Sequence, residues 1–317
     1  MKINKKYRGN PWYSIDFDNP SNYIKIYSTW LSLSDATYRA WTQSKNGYNK
    51  TFETNSYGWR FATVNNAVVK HRKYCKELGI GTLNSKIRIN VTSGIGSASA
   101  PMLGHTYGYI GFSSHSSLLS FLKNTLTFTP IFYIANSNIV GALIRYKLLP
   151  DVWIQGGSSQ GTDGVYSTVF HEMAHTSHFA KVGSSYWTKY INYIITYGAY
   201  GDGTGNNAGY CGIGEMWGNY FSAVCMDREF RINRGFTSNV IIYLSSDGTS
   251  DGRGDEDWYN PGFLYKVDNI SDVTISEIYS SLNGYSTTFE KLINQLKNKT
   301  EEYEKVDEAF NSYTDWP

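Results

Sequence analysis

His171-Glu172-Met173-Ala174-His175 is the stretch on which the reading of this chain turns. Val169, Phe170, Met173 and Ala174 give it the apolar face of a buried helix, and the residues on either side can continue one. On a helix, positions i and i+4 lie about 40° apart around the axis, so the two histidines share a face. Two imidazoles one turn apart can hold a single Zn2+. Glu172 is rotated about 100° from His171, which sets its carboxylate beside the metal, where it can take a proton from water. The chain has only 6 histidines in 317 residues, so abundance does not account for the spacing. The competing reading is a helix with two satisfied core histidines and a surface glutamate.

A catalytic zinc usually has three protein ligands and one open position. His178 is on the same face as His171 but two turns along, about 10 Å of axis, and a metal about 2.1 Å from the first two histidines cannot reach it. It is expected to pack or to face substrate. A histidine six residues after His175, behind a glycine turn, would be a second source. That position is Lys181, and Gly183 falls too late, which excludes the metzincin pattern. The remaining candidate is Glu215, in Gly212-Ile213-Gly214-Glu215-Met216-Trp217-Gly218-Asn219-Tyr220-Phe221. This segment turns apolar with helical spacing after its glycines, which puts Glu215 in the first turn of a largely buried helix. A buried carboxylate is costly unless a cation pairs with it. The alternative is an ordinary glutamate favoured by the helix dipole.

With these residues, the segment from about 165 to 227 resembles the gluzincin branch of the zinc metallopeptidases. In that family an HExxH helix supplies two histidines and the base, and a later helix supplies a glutamate. The resemblance implies Zn2+ held by His171, His175 and Glu215, with Glu172 as general base in peptide-bond hydrolysis. The gap from His175 to Glu215 is longer than in the best-known gluzincins, although toxin-like members have long gaps too. Where the family often has an aspartate orienting a zinc histidine, this chain has Asn219, whose carbonyl can accept an imidazole N–H. The surrounding sequence also resembles zinc metallohydrolase lipoproteins found beside glycan-uptake systems in anaerobic gut bacteria. The implied fold is α+β and zincin-like. It is one catalytic unit of 1–317, with a mixed-sheet subdomain over 1–180 that includes the HExxH helix and a mainly helical subdomain over 181–317. The active-site cleft is expected between them.

Composition bounds the partners. The net charge is +2 and charged residues are 18 %, with no basic run of the kind nucleic acid requires. No apolar stretch approaches 18 residues, so no membrane-spanning segment is expected, and the chain is read as a monomer. No apolar leader follows Met1, which leaves a cytoplasmic protein or an exported one whose leader was removed. The 27 tyrosines, 9 tryptophans and 16 % aromatics favour an extracellular or cell-surface location. Cys75, Cys211 and Cys225 are expected as free buried thiols, because a helix between the last two would hold them too far apart for a disulfide.

Along the rest of the chain, 12–17 and 86–91 alternate as strands. Helices are expected over 34–43, 62–78 with Gly79 as its cap, 116–126, 136–149 and 186–197, and in the C-terminal third over 275–282, 287–297 and 300–313. Two segments, 99–105 and 151–155, are candidates for a substrate-binding edge strand. The glycine-rich 198–210 is read as a mobile wall of the cleft, and Tyr210 or Tyr200 can donate to an oxyanion. The acidic 246–257 lacks calcium-loop spacing and reads as a solvated turn. Two other functions fit the same residues: a surface binding protein with structural zinc and glycan-facing aromatics, or a hydrolase of a non-peptide amide or ester.

Overall fold

Alternation in Ile87-Arg88-Ile89-Asn90-Val91 forms the centre of the sheet: Ile87, Ile89 and Val91 are buried, and so is Asn90 on the other face. Burial on both faces is the mark of an internal, parallel-paired strand. The computed structural model describes residues 15–17, 24–27, 57–83, 87–92, 97–110, 150–155, 161–198, 200–232 and 258–313. Four strands, β1 (Ile15–Phe17), β2 (Ile24–Tyr27), β3 (Ile87–Thr92) and β4 (Val152–Gln155), lie in that order in one sheet. β1 pairs antiparallel with β2, whereas β2–β3 and β3–β4 are parallel. The class is therefore α+β with a small mixed sheet. The helices expected over 34–43, 116–126 and 136–149, and the acidic turn at 246–257, lie outside the described residues.

The two candidate edge segments bond to each other. The Ser99 N–H donates to the Trp153 carbonyl at 3.0 Å, and the Trp153 N–H donates back to Ser99 at 2.7 Å. The Met102 N–H reaches the Asp151 carbonyl at 2.9 Å. The strand expected over 99–105 stops there: Met102 has φ 54, and helix α2 (Leu103–Ile110) begins at the next residue.

By packing, the chain divides into two units that do not follow sequence order. One holds Met1–Ala67, Asn84–Gly104 and Phe112–Tyr166, including the sheet. The other holds Val68–Leu83, His105–Gly111 and Ser167–Pro317. Helix α1 (Tyr57–Glu77) enters the second unit from Val68 onward. Among its buried positions, Val64, Ala67, Val68, His71, Tyr74 and Cys75 repeat every three or four residues, while Val69, Lys73 and Lys76 are exposed. It ends as the sequence predicts, at Gly79 with φ 71. The Ile80 N–H then bonds the Cys75 carbonyl at 2.8 Å, the six-to-one closure of a Schellman cap.

Helix α3 (Thr162–Tyr197) has two limbs that meet at Gly183, where φ is 77 and ψ −179. The chain doubles back at this point. In a straight helix His175 and Trp187 would be about 18 Å apart, but their ring centroids are 5.8 Å apart. The second limb supplies the helix expected over 186–197. Helix α4 (Ala208–Met226) follows and is buried at all but four of its 19 positions. A π-helical turn, Asp227–Ile232, extends it.

The C-terminal helices are α5 (Pro261–Asp268), α6 (Ile275–Ser281), α7 (Phe289–Thr300) and α8 (Tyr303–Asn311). Three of them match expectation to within a few residues, and their caps show why. Thr274 and Glu277 form a reciprocal capping box at α6, and Thr288 caps α7. The sequence reading missed α5, although Pro261 opens it at a position where proline loses no hydrogen bond. Among the described residues no helix is long and apolar enough to cross a membrane.

Candidate metal centre

The first limb of α3 is buried on every side. From Val169 to Phe179 only His171 retains partial exposure. Such a helix needs partners for its backbone as well as its side chains. The Trp217 indole N–H donates to the Ala174 carbonyl at 3.2 Å and to Ser177 Oγ at 3.0 Å, and the Tyr279 hydroxyl donates to the Ser177 carbonyl at 2.9 Å. These bonds fix the height and rotation of the limb against α4 and α6.

α4 brings Glu215 to that limb. The sequence reading placed Glu215 in a first turn, but the helix starts at Ala208, two turns earlier. Gly209 and Gly212 did not stop it, because both are packing positions: a Cβ on Gly209 would sit 2.4 Å from the Thr287 carbonyl oxygen, and one on Gly212 would sit 2.4 Å from the Trp258 ring. Glu215 is thus a mid-helix carboxylate, 1 % exposed, and the helix dipole no longer accounts for it. One turn on, Gly218 gives the rings their space. A Cβ there would lie 2.8 Å from His175 Cε1 and 3.0 Å from His171 Cε1.

The three side chains converge on one point. His171 Nε2 and His175 Nε2 are 3.0 Å apart. Glu215 Oε2 is 3.3 Å from His171 Nε2, and Oε1 is 3.6 Å from His175 Nε2. A tetrahedral ion with bonds of about 2.0–2.1 Å separates its ligands by about 3.4 Å, so these spacings suit one small cation. Among the described residues this is the only group of three or more His, Cys, Asp or Glu side chains close enough to share an ion. Glu215 Oε2 and Glu172 Oε2 are both buried without a hydrogen-bond partner, as is His175 Nδ1. A buried polar atom left unpaired costs about 1–3 kcal/mol, and a cation would satisfy the Glu215 oxygen.

Electrostatics separate the two glutamates. Burial opposes the charge on Glu215, but the His175 and His171 imidazoles outweigh it and hold the carboxyl well below the usual range. Burial pushes Glu172 up to about 8; His171 opposes the shift and the Glu215 carboxylate adds to it. The two carboxyls are thus pushed in opposite directions, Glu215 down and Glu172 up.

Two aromatic residues that the sequence reading missed complete the site. The Tyr190 hydroxyl donates to Glu215 Oε1 at 2.5 Å, and its ring stacks on Trp187 at 4.5 Å. Both rings lie against His175, at 5.9 and 5.8 Å. No linear spacing marks them, because the doubling back at Gly183 is what brings them there. Gly218 carried a readable signal, as a small residue one turn after a proposed ligand.

The remaining residues singled out in the sequence are placed as follows. Tyr210 lies five positions before Glu215, on a face of α4 turned about 140° away. Its hydroxyl accepts from Lys189 Nζ at 2.9 Å, and its ring packs on Tyr186. The Tyr200 ring packs on Tyr259. The glycine-rich loop is tied down: the Gly203 N–H donates to the Tyr193 hydroxyl at 3.0 Å, and the Trp258 indole donates to the Tyr200 carbonyl at 2.9 Å. Asn219 does not orient a histidine; its amide nitrogen donates to the Glu215 carbonyl at 3.1 Å. His178 is fully buried between Tyr186 and Trp187, away from the ligand group, and burial lowers its pKa to about 3. All three cysteines are free and buried. No protein-family model, curated protein or solved structure matches the chain.

Proposed function

We propose that this chain is a zinc-dependent hydrolase of gluzincin type that cleaves peptide bonds. His171, His175 and Glu215 would hold the metal, and Glu172 would be the general base. The observation that carries the reading is the spacing of His171 Nε2 from His175 Nε2, 3.0 Å, and from Glu215 Oε2, 3.3 Å, close to the edges of a zinc-sized tetrahedron. Two nitrogens and a carboxylate oxygen suit Zn2+, and three ligands leave a fourth position open, the mark of a catalytic rather than a structural site. Bound zinc would supply Lewis acidity and a lowered water pKa.

The protein's own groups do the rest. Glu172 is 5 % exposed, and its unpaired Oε2 is free to take a proton from the attacking water and pass it to the leaving amine. A structural site has no use for such a carboxyl beside its first histidine, which weighs against a purely binding role. The zincin-like arrangement of sheet and ligand helices belongs to the same proposal. So does action outside the cytoplasm, which rests on the aromatic-rich, weakly charged composition.

The test pairs metal analysis with cleavage of a peptide library. Wild type should carry one zinc and cut peptides. Glu172→Gln should keep the zinc and lose roughly 10²- to 10⁴-fold in turnover, the usual contribution of a general base. Unimpaired turnover by that variant would sink the mechanism. A zinc-loaded wild type that cuts no peptide would move the reading to a non-peptide amide or ester.

A further inference from the structure

The two oxygens of the Glu215 carboxylate have different surroundings. Oε1 accepts the Tyr190 hydroxyl at 2.5 Å and lies 3.6 Å from His175 Nε2. Oε2, 3.3 Å from His171 Nε2, has no hydrogen-bond partner. We propose that Tyr190 is a positioning residue that makes Glu215 a one-oxygen metal ligand: its hydroxyl occupies Oε1, leaves Oε2 to coordinate, and so keeps the fourth position of the site open. This inference rests on the metal reading given above.

A carboxylate next to a cation can bind through one oxygen or two. Binding through both fills an extra coordination position and crowds out water or substrate. A hydroxyl donating to a charged oxygen forms one of the stronger classes of hydrogen bond. Engaging Oε1 in this way biases the group toward the one-oxygen mode. Such outer partners tune a metal site as much as its ligands do.

The bias lasts only if the hydroxyl stays in place, and the packing ensures that it does. Tyr190 is 5 % exposed, so bulk water does not compete for Oε1. Its ring stacks on Trp187 with planes 28° apart and lies 5.9 Å from the His175 ring. On the α4 side, a Cβ on Gly214 would be 3.2 Å from two atoms of the Tyr190 ring. Gly214 therefore lets the ring approach the ligand on the neighbouring position. The break at Gly183 delivers the ring from the other side.

X-ray absorption on the zinc-loaded wild type and the d–d spectrum of cobalt-substituted protein test the proposal, because coordination geometry is read directly from both. Wild type should be four-coordinate with one oxygen from Glu215. Tyr190→Phe keeps the ring and loses only the hydroxyl; its cobalt bands should fall severalfold in intensity as a fifth ligand enters. A role in packing alone would leave the spectrum unchanged, so superimposable spectra overturn the inference while leaving the metal site standing. A two-oxygen carboxylate in wild type overturns it without recourse to any variant, including one that fails to fold. A wild type that binds neither zinc nor cobalt at one per chain removes the metal reading itself, and this inference with it.

Discussion

At Gly218 the missing side chain is what allows α4 to touch both imidazoles. Alanine normally stabilises a helix interior relative to glycine by about 1 kcal/mol. Here the added Cβ meets His175 Cε1 at 2.8 Å, and the His175 ring is buried with little room to shift. Gly218→Ala is therefore expected to destabilise the fold by about 1–3 kcal/mol in chemical denaturation and to weaken metal binding. Gly284→Ala, with nothing within 4 Å of its Cβ, serves as a neutral control. His71 makes a separate prediction. Burial first, and Arg72 second, lower its pKa from 6.5 to about 3. The unfolded chain thus takes up this proton first. Its contribution to stability is intact above about pH 6.5 and drains as pH falls toward 3, by about 2–3 kcal/mol between pH 6.5 and 4.5. His71→Leu should flatten the acid limb of a melting-temperature profile by that amount; an unchanged slope would disprove the assignment. Legibility at this scale followed chemistry. His171, Glu172 and His175 were readable because helical period and ligand chemistry coincide. Glu215 was singled out because a buried carboxylate calls for a cation; it does lie beside the two histidines, although mid-helix rather than in a first turn. The contacts of Tyr190 and Trp187 were not readable, because they exist only once the chain has folded back.

Gly183 governs the element that carries most of the site. With φ 77 and ψ −179 it occupies backbone space essentially reserved for glycine, and nothing lies within 4 Å of an added Cβ. The effect of Gly183→Ala is therefore purely conformational, about 1–3 kcal/mol. Because the break places Trp187 and Tyr190 on His175, the variant should lose metal affinity as well as stability. Calorimetric melting with and without zinc separates the two: an equal loss in both conditions would mean that the break matters to the fold but not to the site. The same element shows why helix boundaries were only partly legible. Sequence punctuation by Gly79, Thr274 and Thr288 ends or starts helices where it should, because local hydrogen bonds decide those positions. Gly209 and Gly212 looked like punctuation too. Packing against Thr287, Trp258 and Phe289 overrode them, and no local pattern announces that.

Across the whole chain, neither packing unit is one continuous stretch, yet His171, Glu172, His175 and Glu215 all fall within one of them. A cation that joins two elements of that unit binds the folded state alone. Zinc at one hundred times its Kd should then stabilise the protein by about 2.7 kcal/mol, a rise of about 5–10 °C in melting temperature for a unit of this size. Chelation should reverse the rise, and Glu215→Ala should abolish it; a zinc-insensitive wild type would argue against the site. The α+β class was legible because strand alternation and helical period are local signals. The division into units was not, because it depends on where α1 and α2 cross from one to the other. The doubling back at Gly183 also bears on time. Trp187 and Tyr190 meet His175 by closing loops of 12 and 15 residues, whereas Glu215 must close 40 and His71 reaches Phe170 across 99. Each doubling of a loop adds about 0.6 kcal/mol of closure entropy, so the contacts of Trp187 and Tyr190 with His175 cost less to close than that of Glu215. On the ribosome the two imidazoles emerge well ahead of their third partner. The three side chains of the proposed site can therefore converge only after α4 has been made.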